Sequence, residues 1–581
     1  MAALAAGALP AAWAQGTPPA STPAPLQIVG PWEISGLAPT SSGYVFTRLQ
    51  VTETLLDAAD DGQPRPALAR LALPAAWAQG TPPASTPAPL QIVGPWEISG
   101  LAPTSSGYVF TRLQVTETLL DAADDGQPRP ALARLWRRSA DGLVWHFELR
   151  PGARFHDGTP VTAAAVVRSL QAAQVAPALL SQAPIESITA PDEGTVLIRL
   201  QRPHTALPAL LAHSSTMVLA PASYGADGKV RSIIGSGPYR IAALVPPQQV
   251  ETVVFDAYDG PRPAIAAVRY LAASRAETRA LMAESGQADL AYGLDPASLR
   301  RLQRHAQNPT LARRTAVRIA SVTLPRTVIV KLNAGLPALR DVRVRQALSL
   351  AIDRAGIALA LMGDEALAAT QLLPPTLGAW HNPHLPPLQH DPETAARLLR
   401  AAGWQRHSDG LRNAEGQPLH LVIRTFVDRP ELPLIATALQ EQWRLAGIAV
   451  KVSIGNSGDV PRGHRDGSLQ LALAARNYAN VPDPTGTLAG DFAAQGGDWG
   501  AMGWHSDTVV QALHELTRTQ TPPERTRAQR QSITHTLQTE LPVIPVAWYR
   551  QHVAVAPRLA GVTLDPLERS YRLTGMEWNN P

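Results

Sequence analysis

His156 and Asp157 stand side by side in "ARFHDGTPVTAAAVVRSL", a pairing that invites a general-base or metal reading. Adjacent residues cannot lie one helical turn apart on a shared face, as paired helical metal ligands do. Pro151-Gly152 and Asp157-Gly158 are turn dipeptides, and Thr162 stands where a helix cap belongs. The stretch therefore reads as strand, tight turn and capped helix, with Asp157 bonding turn amides and His156 propping the turn. A second cluster, "HNPHLPPLQH", holds His381, His384 and His390, but its prolines keep it extended and it reads as a loop, not a metal site. The third stretch is "LALAARNYANVPDPTG", an apolar strand running into Arg476-Asn477-Tyr478 and a Pro-Asp-Pro turn. A guanidinium fork suits bidentate capture of a carboxylate, and a salt bridge across to the first of two lobes is the competing use. No Gly-x-Ser-x-Gly elbow, His-Glu-x-x-His or cysteine occurs, which leaves an exported hydrolase as a remote third reading.

The elements that would position these residues alternate between strand and helix. "PLQIVG" reads as a strand, and "SSGYVFTRLQVTETLLD" carries Val109, Leu113, Leu119 and Leu120 at helical spacing. "GLVWHFELRPG" alternates, with Trp145, Phe147 and Leu149 on one face, as a half-buried strand does. "TVLIRLQRP" (195–203) and "TVIVKLNAG" (327–335) are further strands. Residues 341–361 read as one long amphipathic helix capped by Asp341, and 391–404 as another between Asp391 and Gly403. This alternation predicts an α/β architecture.

Length and composition narrow the partners. A chain of 581 residues is too long for one core. Its net charge of +4 is small, lysine occurs only at 229, 331 and 451, and no basic run accumulates, so nucleic-acid binding is not expected. "MAALAAGALPAAWAQG" resembles the apolar stretch and small-residue cleavage site of a signal peptide, though without its basic flank, and a Pro/Ser/Thr linker follows. Residues 1–14 are therefore expected to be a truncated export signal. No later apolar run reaches the length of a membrane span, so a free periplasmic protein is expected. Residues 8–71 repeat as 72–135 without one difference, including the cleavage-site tail. A single perfect pair is not a solenoid. Loop-closure entropy favours the second copy in the fold, because it joins Trp136 directly; the first copy should be redundant and the working chain should begin near Gln79.

The opening stretch, extended to "LRPGARFHDGTPVTAAAVVRSL", closely resembles a signature of the bacterial family 5 extracellular solute-binding proteins, the peptide- and nickel-type receptors of ABC importers. Further matches follow in order: "IIGSGPYRI", "VRVRQALSLAIDR", "HDPETAARLLRAAGW", "ALQEQWRLAGIAV" and "LPVIPVAWYRQHVAVAPRLAGV". The resemblance covers about residues 90–566. It implies a two-lobed periplasmic-binding-protein fold with an interlobe cleft and a hinge, the first lobe discontinuous. Lobe one would span about 89–328 plus 545–581, and lobe two about 329–544. It implies a monomeric binding protein without enzyme activity, cofactor or resident metal. Such a protein delivers a small peptide or a carboxylate-bearing ligand, metal chelates included, to a permease and its ATPase. A ligand-sensing receptor module of the same fold is the alternative.

The resemblance also suggests where ligand is touched. In the family the end of the apolar strand that opens the 471–486 stretch faces the cleft, which makes Arg476, Asn477 and Tyr478 candidates. Peptide-binding members often carry an acid there, whereas this chain has Arg476, so an anionic ligand is expected. Tyr108, in a loop that often reaches the cleft, and Trp380 and Trp504, as pocket walls, complete the expected site; Trp499 is a candidate on the same grounds as Trp504. No histidine occurs between Pro484 and His505, so a nickel-binding histidine after the Pro-Asp-Pro turn is missing. A metal would then arrive wrapped in an organic chelator.

Overall fold

The computed structural model describes residues 56–58, 64–66, 88–174, 179–307, 317–426, 429, 431–519 and 521–579. The chain divides into two compact units, Met1–Thr86 and Pro87–Pro581. In the first, Leu56–Ala58 pairs antiparallel with Pro64–Pro66. The second copy of the repeat forms the same hairpin from Leu120–Ala122 and Pro128–Pro130. The expected export signal at 1–14 and most of the first copy lie outside the described residues.

The second unit is built on a ten-stranded mixed sheet. Its centre is an antiparallel pair of long strands, Arg318–Leu332 and Val543–Val555. On one side lie Leu290–Tyr292, Leu90–Gly94, Ala267–Ala272, Gln249–Val254 and Tyr239–Val245, and on the other Leu471–Asn477, His420–Phe426 and Ala449–Gly455. A separate four-stranded antiparallel sheet runs in the order Ala133–Arg138, Val144–Leu149, Thr195–Leu200, Ile185–Asp192. Trp145, Phe147 and Leu149 are buried, as the alternation predicted. Among the described residues the chain thus collapses around three apolar cores. One holds Leu90, Phe110, Tyr239, Tyr270 and Val555. A second holds Phe147, Phe155, Val166 and Val196. The largest holds Val330, Leu348, Trp443, Leu473 and Phe492. Some residues cross over: Ala122 and Leu567 pack in the largest core, and Val481 in the core of the four-stranded sheet.

The central pair carries the feature that shapes the site. Its register slips between Leu324 and Thr327. Pro325 has no N–H for the ladder, and its carbonyl instead accepts from the Tyr478 amide at 2.9 Å. The two extra residues bulge, and Arg326 lines the cavity described below.

Two sequence expectations need correction here. The 341–361 segment is not one helix. Val342–Leu350, capped by Asp341, stops at Ala351; Arg354–Ile357 restarts on a new cap, Asp353; and Ala358–Met362 forms a π turn. Asp353 captures the Gly356 amide at 2.9 Å, and the buried Arg354 guanidinium bonds the Ser349 and Pro545 carbonyls. Such side-chain bonds compete with the helical ladder. Likewise the helix after "SSG" is Pro103–Arg112 only, with Gln114 at φ 54, so Leu119 and Leu120 lie beyond it.

Candidate functional site

His156 settles into the turn. Its amide donates to the Gly235 carbonyl at 2.9 Å, its Nε2 sits 3.0 Å from the Gly237 carbonyl, and its ring meets Phe255 edge-on at 4.9 Å. Burial pulls its pKa down to about 4, which keeps the ring neutral. Asp157 accepts from the Thr159 amide and hydroxyl at 3.0 and 2.6 Å. Thr162 caps the next helix through the Ala165 amide at 3.3 Å. Both residues are spent on local structure. His381 is engaged too, its Nδ1 2.8 Å from the Leu373 carbonyl.

The site is a cavity of about 1090 Å³. The Pro103–Arg112 helix, the bulged central strands, the end of Leu471–Asn477, the Leu120–Pro130 hairpin and the 567–570 segment all reach it. Its wall is rich in arginine, and most of these guanidiniums bring their own carboxylate. Arg150 makes a fork onto Glu117 at 2.9 and 2.8 Å and reaches Asp259 at 2.6 Å. Burial pushes the Glu117 carboxyl up, against the pull of Arg150. Asp121 pairs with Arg129 and Arg569, and Arg550 with Asp364. Arg326 donates to Glu568 at 2.7 Å. Burial alone would raise the Glu568 carboxyl, but Arg326, Arg112 and Arg429 outweigh it and hold the group below its ordinary value.

Arg429 differs from these. Its guanidinium lies 5.3 Å from the Tyr549 ring centroid, with Arg326 at 5.1 Å from the same ring. Among the described residues no carboxylate pairs with Arg429. A cation set against an aromatic face, with no carboxylate partner among the described residues, is a ready receptor for an acid.

The residues expected from sequence scatter. Tyr108, Arg476 and Asn477 line the cavity, as does Trp499, edge-on to Phe426 at 6.1 Å. Arg476, however, is already paired: Nε and Nη2 each donate to Asp491 at 2.7 Å, with Asp491 only 3% exposed. Burial works to lower the Arg476 pKa, and Asp491 more than reverses that. An internal salt bridge therefore occupies its fork, but to Asp491 within the same 329–544 segment and not to lobe one as the competing reading expected. Tyr478, Trp380 and Trp504, expected at the site, are not among the residues that line this cavity. Tyr478 is wholly buried, drawn inward by its amide bond to Pro325. Trp380 is packed in the largest core with Arg530 5.2 Å over its ring. Trp504 turns inward because its indole N–H finds Glu540 at 2.7 Å and its ring meets Phe492. Sequence reasoning missed Arg112, Arg326, Arg429 and Glu568. The one local signal was Pro325, whose lost N–H marks the bulge that presents Arg326.

Residues 127–499 match the family model described as bacterial extracellular solute-binding proteins, family 5, middle. The nickel-binding periplasmic protein of Escherichia coli K12 is 26% identical over 476 residues, covering 79% of this chain and 88% of that protein. The glutathione-binding protein of the same strain is 27% identical over 280 residues, 47% of this chain and about half (52%) of that protein's length. In three dimensions, NikA from Brucella suis, solved with Fe(III)-EDTA, superposes with a TM-score of 0.76 at 22% identity, covering 85% of this chain and all of that one. The oligopeptide-binding AppA of Bacillus subtilis, solved with a nonapeptide, gives 0.67 at 18% identity over 85% of this chain and 99% of that one. The likeness to these structures is one of fold, a two-lobed α/β binding protein.

Proposed function

The chain belongs to the bacterial extracellular solute-binding proteins of family 5, and on that premise we propose that it captures a small acid-bearing solute and hands it to an ABC permease and its ATPase. In this reading it works in the periplasm, as a monomer and without chemistry on its cargo. Lobe one comprises about 89–328 with 545–581, lobe two about 329–544, and they close about the long central strands. Arg429 carries the reading: a guanidinium lining the cavity, set against Tyr549, with no carboxylate partner among the described residues. A carboxylate of the solute would complete it. Relatives named for glutathione and solved with Fe(III)-EDTA point the same way, since both compounds present carboxylates.

Calorimetric titration with glutathione, Fe(III)-EDTA and Ni(II)-histidine tests this. At least one is expected to bind the wild type. Arg429→Gln should weaken that binding by the worth of a charge-assisted hydrogen bond, about 1.5–3 kcal/mol, or roughly 10- to 150-fold. Unchanged affinity in that variant would remove Arg429 from the site.

A further inference from the structure

We propose that Arg112 is a second anion-binding residue of the same cleft, so that the solute carries two acid groups. This deepens the receptor reading above and rests on it. Arg112 is only 9% exposed and lines the cavity. Its guanidinium is clamped in place: Nε donates to the Glu568 carbonyl at 2.6 Å, and the group lies 4.0 Å over the Trp96 ring and 5.4 Å from that of Tyr108. Its Nη1, by contrast, is buried with no acceptor among the described residues, the Tyr571 hydroxyl being the other polar group that the guanidinium engages. The nearest carboxylate, Glu568, is 4.0 Å from Nη2 and is committed to Arg326 at 2.7 Å.

A buried charged donor without an acceptor is costly and rare in native proteins. An acid group of the cargo would remove that cost at Arg112, as it would complete Arg429. The carboxylates of the wall tell the same story from the other side. Glu117 is held by Arg150 and Ser236, Asp121 by Arg129 and Arg569, and Glu568 by Arg326. Each lining carboxylate thus has a cation of its own, and a ligand ammonium finds no free acid among the described residues. The spare capacity of this cleft is cationic at two residues, and the matching cargo is a diacid.

The test is calorimetric and thermal-shift titration of the full chain with straight-chain diacids from succinate to sebacate, each beside the monoacid of equal length. At least one diacid should bind tenfold or more tightly than its monoacid. Arg112→Gln should abolish that preference. Arg112→Lys, which keeps a cation near Trp96 but has no Nη1, should restore only part of it. Melting curves without added acid report whether each variant is folded. Equal binding of diacids and monoacids, a folded Arg112→Gln protein that keeps the preference, or no binding by any diacid would each overturn the proposal. Failure of the two readings is distinguishable. If acids bind and Arg429→Gln abolishes this while Arg112→Gln does not, the receptor reading stands and the second subsite falls. If Arg429→Gln changes nothing, the receptor reading itself fails at that residue.

Discussion

The Arg476–Asp491 pair separates a structural arginine from a ligand-binding one. Asp491→Asn keeps the shape of the side chain but removes the charge that balances a guanidinium whose side chain is only 19% exposed. Breaking a buried ion pair by losing one partner costs roughly 3–5 kcal/mol, because the other charge stays buried alone. At about 2–4 °C per kcal/mol for a unit the size of one lobe, the melting temperature should fall by about 6–20 °C. Arg476→Ala should cost less, since Lys331 also favours the Asp491 charge and the orphaned acid can take up a proton. The double variant Arg476→Ala/Asp491→Ala should recover part of the loss, with a coupling energy of about 1–3 kcal/mol. Calorimetric melting of the three variants measures this, with affinity for whichever compound binds the wild type followed in parallel. The internal pair predicts large thermal effects and small affinity effects. An Asp491→Asn protein that melts like the wild type would refute the reasoning, and a tenfold affinity loss at unchanged stability would return Arg476 to the ligand.

Two further outcomes are expected. His156 and His213 are both held by burial near pKa 4, against 6.5 for the ordinary side chain. The unfolded chain then binds more protons between these values, so the stability they contribute is complete above pH 6.5 and drains as pH falls toward 4, by about 3 kcal/mol each. Melting temperature should drop across that window, and less steeply in His156→Gln. Removing residues 8–71 or 72–135 yields one and the same polypeptide, because the copies are identical and adjacent. The shortened chain should melt and bind as the full chain does, and a lower melting temperature would show that the extra copy is structural.

Elements with a clear period and a cap were legible in the sequence, and those interrupted by a side-chain bond were not. Val144–Leu149 has a strict alternation, and Asp391 heads a run that becomes Pro392–Ala401. Both stand as read. The 341–361 segment has the apolar spacing of a helix throughout, yet Asp353 and Arg354 redirect it. Their bonds run to Gly356, Ser349 and Pro545, and the last of these is a partner nearly two hundred residues away that periodicity cannot register.

The site divides along the same line. Arg476 was visible because it breaks an apolar strand, and it does reach the cavity. What decides its role is Asp491, which lies in a different local element and comes close only when the chain from 478 to 491 folds back. The converse holds for Arg112 and Arg326. One ends a helix and the other follows a proline in a strand, so neither looks unusual in its own neighbourhood. Their meaning comes from Glu568, at the far end of the chain, which all but exhausts its carboxylate on Arg326 and leaves Arg112 with a buried N–H to spare. In a cleft with so many arginines, residue type alone does not reveal which will hold cargo. Subtracting each internal carboxylate from its cation requires the distances between segments, and among the described residues it leaves Arg112 and Arg429 without a close carboxylate partner.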